Sequence, residues 1–351
     1  MKVETVLPLG KADSGLKVAD GAIDIRGVAG DAALIERIGF DGLAIRDNKD
    51  DPYIVSTLAL QATQRVSVAT SVAIAFPRSP TVTAMTAWSL ARLSGGRFVL
   101  GLGSQVKGHI ERRFGMKWKA PGPWMRNYVL AVRALWEAWQ NGQPVRHKSE
   151  DYEITLNVPV FTPAPLDCGP IPIHLAGVNP YMCQVAGEVA DALRTHPVCT
   201  PHFIETVMLP AVRRGARKTG RDLAGFEIGV APLVATAGDE AGLVEKIAHI
   251  RGRIAFYGST PAYAAVFEAH GLGALAQDLN RLSREQRWPE MSALVDDAVL
   301  ELFATVGLHR EIVAKLKARY APVATLIEFS IPVRNRDDEE TLATMVRDLQ
   351  A

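Results

Sequence analysis

Arg97-Phe98-Val99-Leu100, running into Gly101-Leu102-Gly103-Ser104, is the stretch of this 351-residue chain that decides its architecture. Phe98, Val99 and Leu100 in succession spell a short strand buried on both faces. The two glycines at its exit let backbone come close to a ligand. A compact strand that leaves through glycines towards a helix-patterned segment is one unit of a parallel sheet with crossover helices.

The same rhythm repeats on both sides. Upstream, strands are expected at residues 2–7, 43–45 and 66–75; the second comes after the helix-closing Gly39-Phe40-Asp41-Gly42. Pro77-Arg78-Ser79-Pro80 forms a rigid turn that starts the helix carrying Trp88 and Leu90. Downstream, Trp124, Tyr128, Leu135, Trp136 and Trp139 fall on one helical face and read as core. An inserted hairpin at 144–156 and a proline-rich loop at 161–172 precede strands at 171–175, Ala192–Thr195, 227–235 and 325–330. With 97–100 this makes eight, and the economical reading is an α/β fold: one (β/α)8 TIM barrel over residues 1–351. The helical stretch 240–288 is too long for one crossover, which places a helical insertion over the C-terminal mouth at about 257–291.

Bulk properties narrow the partners. The 39 basic and 38 acidic residues leave a formal charge of +1, so no field gathers nucleic acid or an anionic membrane, and a small molecule is the expected partner. Cys168, Cys183 and Cys199 form neither a disulfide framework nor a C-x-x-C pair. No apolar run is long enough for a signal peptide or a membrane span, and a cytoplasmic location is expected. The histidines are scattered without H-x-x-x-H spacing, so no metal is expected.

Functional residues of such a barrel lie at the C-terminal ends of its strands. The candidates are Arg46-Asp47-Asn48, Ser71-Val72, Gly103-Ser104-Gln105, Ala176-Gly177-Val178-Asn179 and Thr195-His196, with His109 in the basic run after strand four. Each has a structural alternative. The Asp47 run could be a loop that caps the next helix, the glycines a tight turn, and Asn179 a plain helix cap. Gly177 before a helix N-terminus suits a phosphate. His174, inside a strand, reads as a satisfied buried histidine rather than a catalyst. His109 and His196 are candidate acid–base groups because imidazole titrates near neutrality.

The blocks Arg65-Val66-Ser67-Val68-Ala69-Thr70-Ser71-Val72, Leu93-Ser94-Gly95-Gly96-Arg97-Phe98-Val99-Leu100-Gly101-Leu102-Gly103 and Leu175-Ala176-Gly177-Val178-Asn179-Pro180 resemble the luciferase-like monooxygenase superfamily. The blocks SGGRFVLGLGSQVKGHIERRFG and IAFYGSTPAY look most like its coenzyme F420-dependent subset. The resemblance implies a tricyclic ring across the strand ends. It puts a non-prolyl cis peptide at Ser71-Val72, phosphate or tail contacts at Gly177, Val178 and Thr195, and a ring-facing polar residue at Asp47 with Asn48 beside it. One departure is visible: where deazaflavin sugar-phosphate dehydrogenases carry G-T-G-E, this chain reads Gly103-Ser104-Gln105-Val106, so that proton-transfer acid is missing. The expectation is hydride transfer between F420 and a small organic substrate. The alternatives are an FMN-dependent monooxygenase or a non-catalytic cofactor-binding barrel, and relatives suggest a homodimer.

Overall fold

Apolar β-branched runs separated by amphipathic helices leave only one economical way to bury both faces of every strand: closing the sheet on itself inside a ring of helices. The computed structural model describes residues 1–7, 9 and 23–351 and has this form. The barrel strands are β1 (Lys2–Val6), β2 (Gly42–Ile45), β3 (Ser67–Thr70, resuming as Ala73–Ile74), β4 (Phe98–Gly103), β5 (Ile173–Gly177), β6 (Ala192–Thr195), β7 (Glu227–Val230) and β8 (Leu326–Glu328). Each is parallel to its neighbours, and β8 closes the ring by pairing Leu326 with Lys2 and Ile327 with Val3. Between barrel and helices the apolar residues form one continuous core, from Val3 to Leu349.

Two expected elements are split. The span 227–235 divides at Ala231-Pro232: β7 ends at Val230, and Leu233–Ala237 leaves the barrel to pair in parallel with Ala304–Leu308. Pro232 lacks the N–H that a continuous central strand would need. The residues 240–288 form separate helices, Glu240–Gly258, Ala264–Glu268 and Gly273–Arg284, with Trp288 opening a further short one. Pro261 and Gly271, at φ +71°, lie at the breaks. The hairpin at 144–156 is short, pairing His147–Lys148 with Glu153–Ile154. The helix Pro121–Asn141 buries Trp124, Tyr128, Trp136 and Trp139, as its periodicity requires.

The Ser94-Gly95-Gly96-Arg97 block has a structural job. Gly95, at φ +61°, ends the helix Pro80–Ser94 in a left-handed cap. Arg97 then donates to the carbonyls of Leu60, Thr63, Val66 and Ser94 and to the Thr63 hydroxyl. One guanidinium thus ties the last turns of two helices to the base of β3 and β4.

The other constraint lies higher in the same pair of strands. Ala69 pairs with Val99 and Ala73 with Leu102, so four steps along β3 oppose three along β4. The extra residue is a bulge, and because side chains alternate with period two it re-aims the residues beyond it. The peptide bond between Ser71 and Val72 is cis. Thr70 locks the bulge, its Oγ1 donating to Gly101 O at 2.7 Å and accepting from Gly101 N at 2.9 Å. A Cβ on Gly101 would sit 1.8 Å from Thr70 O, and one on Gly103 would sit 2.5 Å from Val72 Cγ2. The two glycines are therefore in the strand rather than in a tight turn, and they admit the bulge.

Replacing Gly101 with Ala forces backbone apart in the barrel wall and is expected to cost at least about 3 kcal/mol. Gly30→Ala, in the helix Val28–Ile38 with nothing within 4 Å of the added methyl, is the control and should be neutral or stabilising. Urea denaturation of both variants checks this.

Candidate active site

Glu4, His174 and Arg194 are charged or polar residues set in otherwise apolar strands, and the barrel turns all three inward. Arg194 makes a bidentate pair with Glu4, with Nη2 donating to Oε2 at 3.0 Å, and its Nε donates to His174 Nδ1 at 3.2 Å. Nη1 also reaches Ser71 Oγ at 3.3 Å, so the network ends on the bulge. Burial is the first reason the His174 imidazole is held well below its ordinary pKa, and the Arg194 and Lys2 charges push the same way. His174 is therefore a neutral acceptor in the barrel core. Burial works against the Arg194 charge, yet Glu4, with Glu328 and Glu227 beyond it, holds the guanidinium above its ordinary value.

Above this network lies the mouth. Ser71 and Val72 of the β3 bulge, Ser104 and Gln105 after β4, and Ala176, Gly177 and Val178 at the end of β5 are all half-buried, whereas most residues of these strands below them are buried. They are contiguous: the Cβ position of Gly103 lies 2.5 Å from Val72 Cγ2 and 3.9 Å from Ala176 Cβ, and Gly177 pairs with Thr195 of β6. The result is a floor of small side chains across four strand ends. Gln105 closes one edge in the left-handed region, at φ 56°, a conformation that costs a non-glycine residue about 1–3 kcal/mol and tends to mark functional sites.

The other candidates separate into fixed and peripheral groups. Asp47 Oδ2 accepts from Ile74 N at 3.0 Å and from Arg78 Nη1 at 2.6 Å, so its carboxylate anchors the resumed part of β3. Asp51 caps the helix Pro52–Ala62. Asn48 is exposed, and its carbonyl accepts from Arg113. Asn179 Oδ1 caps the helix Pro180–Val189 through Met182 N at 2.9 Å. His109 is exposed on the short helix Lys107–Arg112 that follows β4. His196 comes directly after β6 and is held between aromatic rings, stacked on Tyr263 at 4.3 Å and edge-on to Tyr257 at 4.7 Å. Its Nδ1 accepts from Val198 N at 3.3 Å, which leaves Nε2 as the ring position that carries a proton. Tyr257 lies in the last turn of the helix Glu240–Gly258 and Tyr263 in the turn that follows, so the IAFYGSTPAY block meets the strand-six histidine. Burial pushes the Tyr263 phenol up to about 12, which keeps it a neutral donor.

A luciferase-like monooxygenase family model matches residues 2–326. The chain belongs to the luciferase-like monooxygenase family. Among its relatives, an uncharacterized protein of Mycobacterium tuberculosis is 39% identical over 324 residues, covering 92% of this chain and 94% of that one. A 5,10-methylenetetrahydromethanopterin reductase of Archaeoglobus fulgidus is 27% identical over 290 residues, covering 81% and 82%. Among solved structures, the coenzyme F420-dependent tetrahydromethanopterin reductase of Methanopyrus kandleri superposes with a TM-score of 0.75 at 20% identity, covering 99% of this chain and 97% of its own. That likeness shows the luciferase-like barrel fold.

The Arg194–Glu4 pair went unread in the sequence, although an acid in Val3-Glu4-Thr5-Val6 and a base in Leu193-Arg194-Thr195 are the kind of lone charge in a buried strand that signals an interior pair. Glu4→Gln leaves the guanidinium buried without its counter-charge and should cost about 3–5 kcal/mol. For His174 the sign is set by a lowered native pKa. As pH falls below about 6.5 the unfolded chain takes a proton that the native state refuses, so stability drops by up to about 1.4 kcal/mol per pH unit from this group. His174→Gln should flatten that slope in urea midpoints measured between pH 7 and pH 5.

Proposed function

We propose that this chain is an oxidoreductase that binds the deazaflavin coenzyme F420 on the strand-end floor and transfers a hydride between it and a small organic substrate. The observation that carries the reading is the floor itself. Ser71, Val72, Ser104, Ala176 and Gly177 present small, half-buried groups side by side over Gly103, which suits a planar tricyclic ring. Beside it, the helix Pro180–Val189 begins immediately after Gly177-Val178-Asn179, and its dipole suits the coenzyme's phosphate. The F420-dependent reductase of Methanopyrus kandleri and the Archaeoglobus reductase support the same reading.

The bound coenzyme would supply the hydride chemistry; this chain's residues orient, exclude water and manage a proton. Ser71 and Val72 would back the ring, with Arg194 below holding the Ser71 hydroxyl in place. Gly177, Val178 and Thr195 would take the phosphate end, and Gln105 would border the ring from β4. Asp47 Oδ2 would hold the bulge through Ile74 N, with Oδ1 as the atom left to face the ring. His196, with Nε2 as its proton-bearing position and its ring clamped by Tyr257 and Tyr263, is the group placed to give or take a proton, with His109 after β4 as the other imidazole. FMN on the same floor, with oxygen as co-substrate, is the second reading, favoured by the monooxygenase description of the family.

Parallel titrations with F420 and FMN, followed by tryptophan fluorescence, test the assignment. F420 is expected to bind the more tightly, and His196→Gln to lower kcat by about 10²–10⁴-fold with F420 affinity unchanged. Tighter binding of FMN would move the protein to the monooxygenase reading, and binding of neither would remove the cofactor assignment.

A further inference from the structure

The half of the mouth opposite the floor holds a cavity of about 130 Å³. Its walls come from the ends of β1, β2, β7 and β8 and from the outer strand Leu233–Ala237, and the helix Glu240–Gly258 roofs it. By the measure on which about 10–15 Å³ holds one water, it has room for a group the size of a carboxylate or phosphate with its waters. It is far smaller than the roughly 300–1,000 Å³ a whole ligand of cofactor size occupies. Its chemistry is that of an oxyanion site. Lys246, Arg253 and Arg46 bring cationic groups to the wall, against one carboxylate among the described residues, that of Glu328, which pairs with Arg46 at 2.8 Å. Thr5 and Thr236, also on the wall, have buried hydroxyls with no hydrogen-bond partner among the described residues. Both hydroxyl oxygens are closed off from the cavity's open space, so the cationic side chains are the groups that face a bound anion.

We propose that this cavity is a subsite for an oxyanion, carboxylate or phosphate, carried by the substrate. Arg253 connects it to the reaction centre: its Nη2 donates to Tyr257 Oη at 2.6 Å, and Tyr257 lies edge-on to His196. Anchoring one end of a substrate at Lys246 and Arg253 therefore sets its other end towards His196 and the floor. Assignment of the anion to the substrate rests on the cofactor reading above; the anion site itself does not.

Inorganic phosphate titrated by calorimetry into the full-length protein, without and with saturating F420, tests this. Phosphate is expected to bind in both conditions, Lys246→Ala to weaken it by about tenfold or more, and Lys246→Arg to restore most of it. Melting temperatures of the variants, measured alongside, must match the parent for the comparison to count, and Lys246→Met replaces Lys246→Ala if that variant melts early. No phosphate binding to the parent, or equal binding to parent and variants, overturns the site. Phosphate displaced by F420 identifies the cavity as the cofactor's phosphate site and overturns the substrate assignment. Failure of F420 to bind, with phosphate binding intact and sensitive to Lys246, would instead remove the cofactor reading and leave the anion site standing.

Discussion

The close approach of Gly101 to Thr70 is the contact on which the rest of the molecule depends. Backbone meets backbone there with no room for a side-chain atom, and the Thr70 hydroxyl satisfies both the N–H and the C=O of Gly101 in place of the ladder the bulge interrupts. A regular β3 would keep its alternation and point Ser71 and Val72 elsewhere. The one-residue slip turns them to the mouth, and Val72 then requires Gly103 on the neighbouring strand. Strand pairing, glycine spacing and the shape of the floor are thus one constraint seen at three levels.

Beneath the bulge, the Glu4–Arg194–His174 cluster joins β1, β5 and β6 across the barrel interior and touches Ser71. Such a buried pair contributes little net stability over an apolar filling, because desolvating two charges offsets their attraction. What it offers is directional. A guanidinium with three fixed partners holds the serine hydroxyl in one place, where a leucine core would leave it free to rotate. A buried neutral His174 completes the cluster at neutral pH, and acid conditions work against it.

The mouth divides into two chemically different halves. On β3 to β6 lie small, half-exposed residues and a helix N-terminus; on β7, β8, β1 and β2 lie cationic side chains, orphaned hydroxyls and a small cavity. Between them stand His196 and its two tyrosines, contributed by the helical segment after β7. A flat ring and an anion-bearing partner would meet at that histidine. This division gives the segment after β7 a reason to exist: it roofs the cavity with Lys246 and Arg253 and clamps His196 with Tyr257 and Tyr263.

Much of this was legible in one dimension. The barrel could be read because each strand is a short apolar run bounded by turn residues, and hydrophobic periodicity survives without knowledge of the fold. The Gly101, Gly103 and Gly177 positions and the placement of His196 at a strand end were legible for the same reason: strand ends of a parallel barrel converge on one face. Roles were harder. Asp47 reads as a ring contact by position, and position alone does not show that Arg78 and the Ile74 amide, 27 or more residues away in sequence, both bond its Oδ2. The sequence alone determined the architecture and the list of strand-end residues, since both come from local pattern. Only the tertiary structure decided which of those residues face one another, that β3 slips by one residue against β4, and that Glu4 neutralises Arg194 across 190 positions of chain. Those facts belong to contacts between distant segments, and no local pattern encodes a contact until the chain has folded.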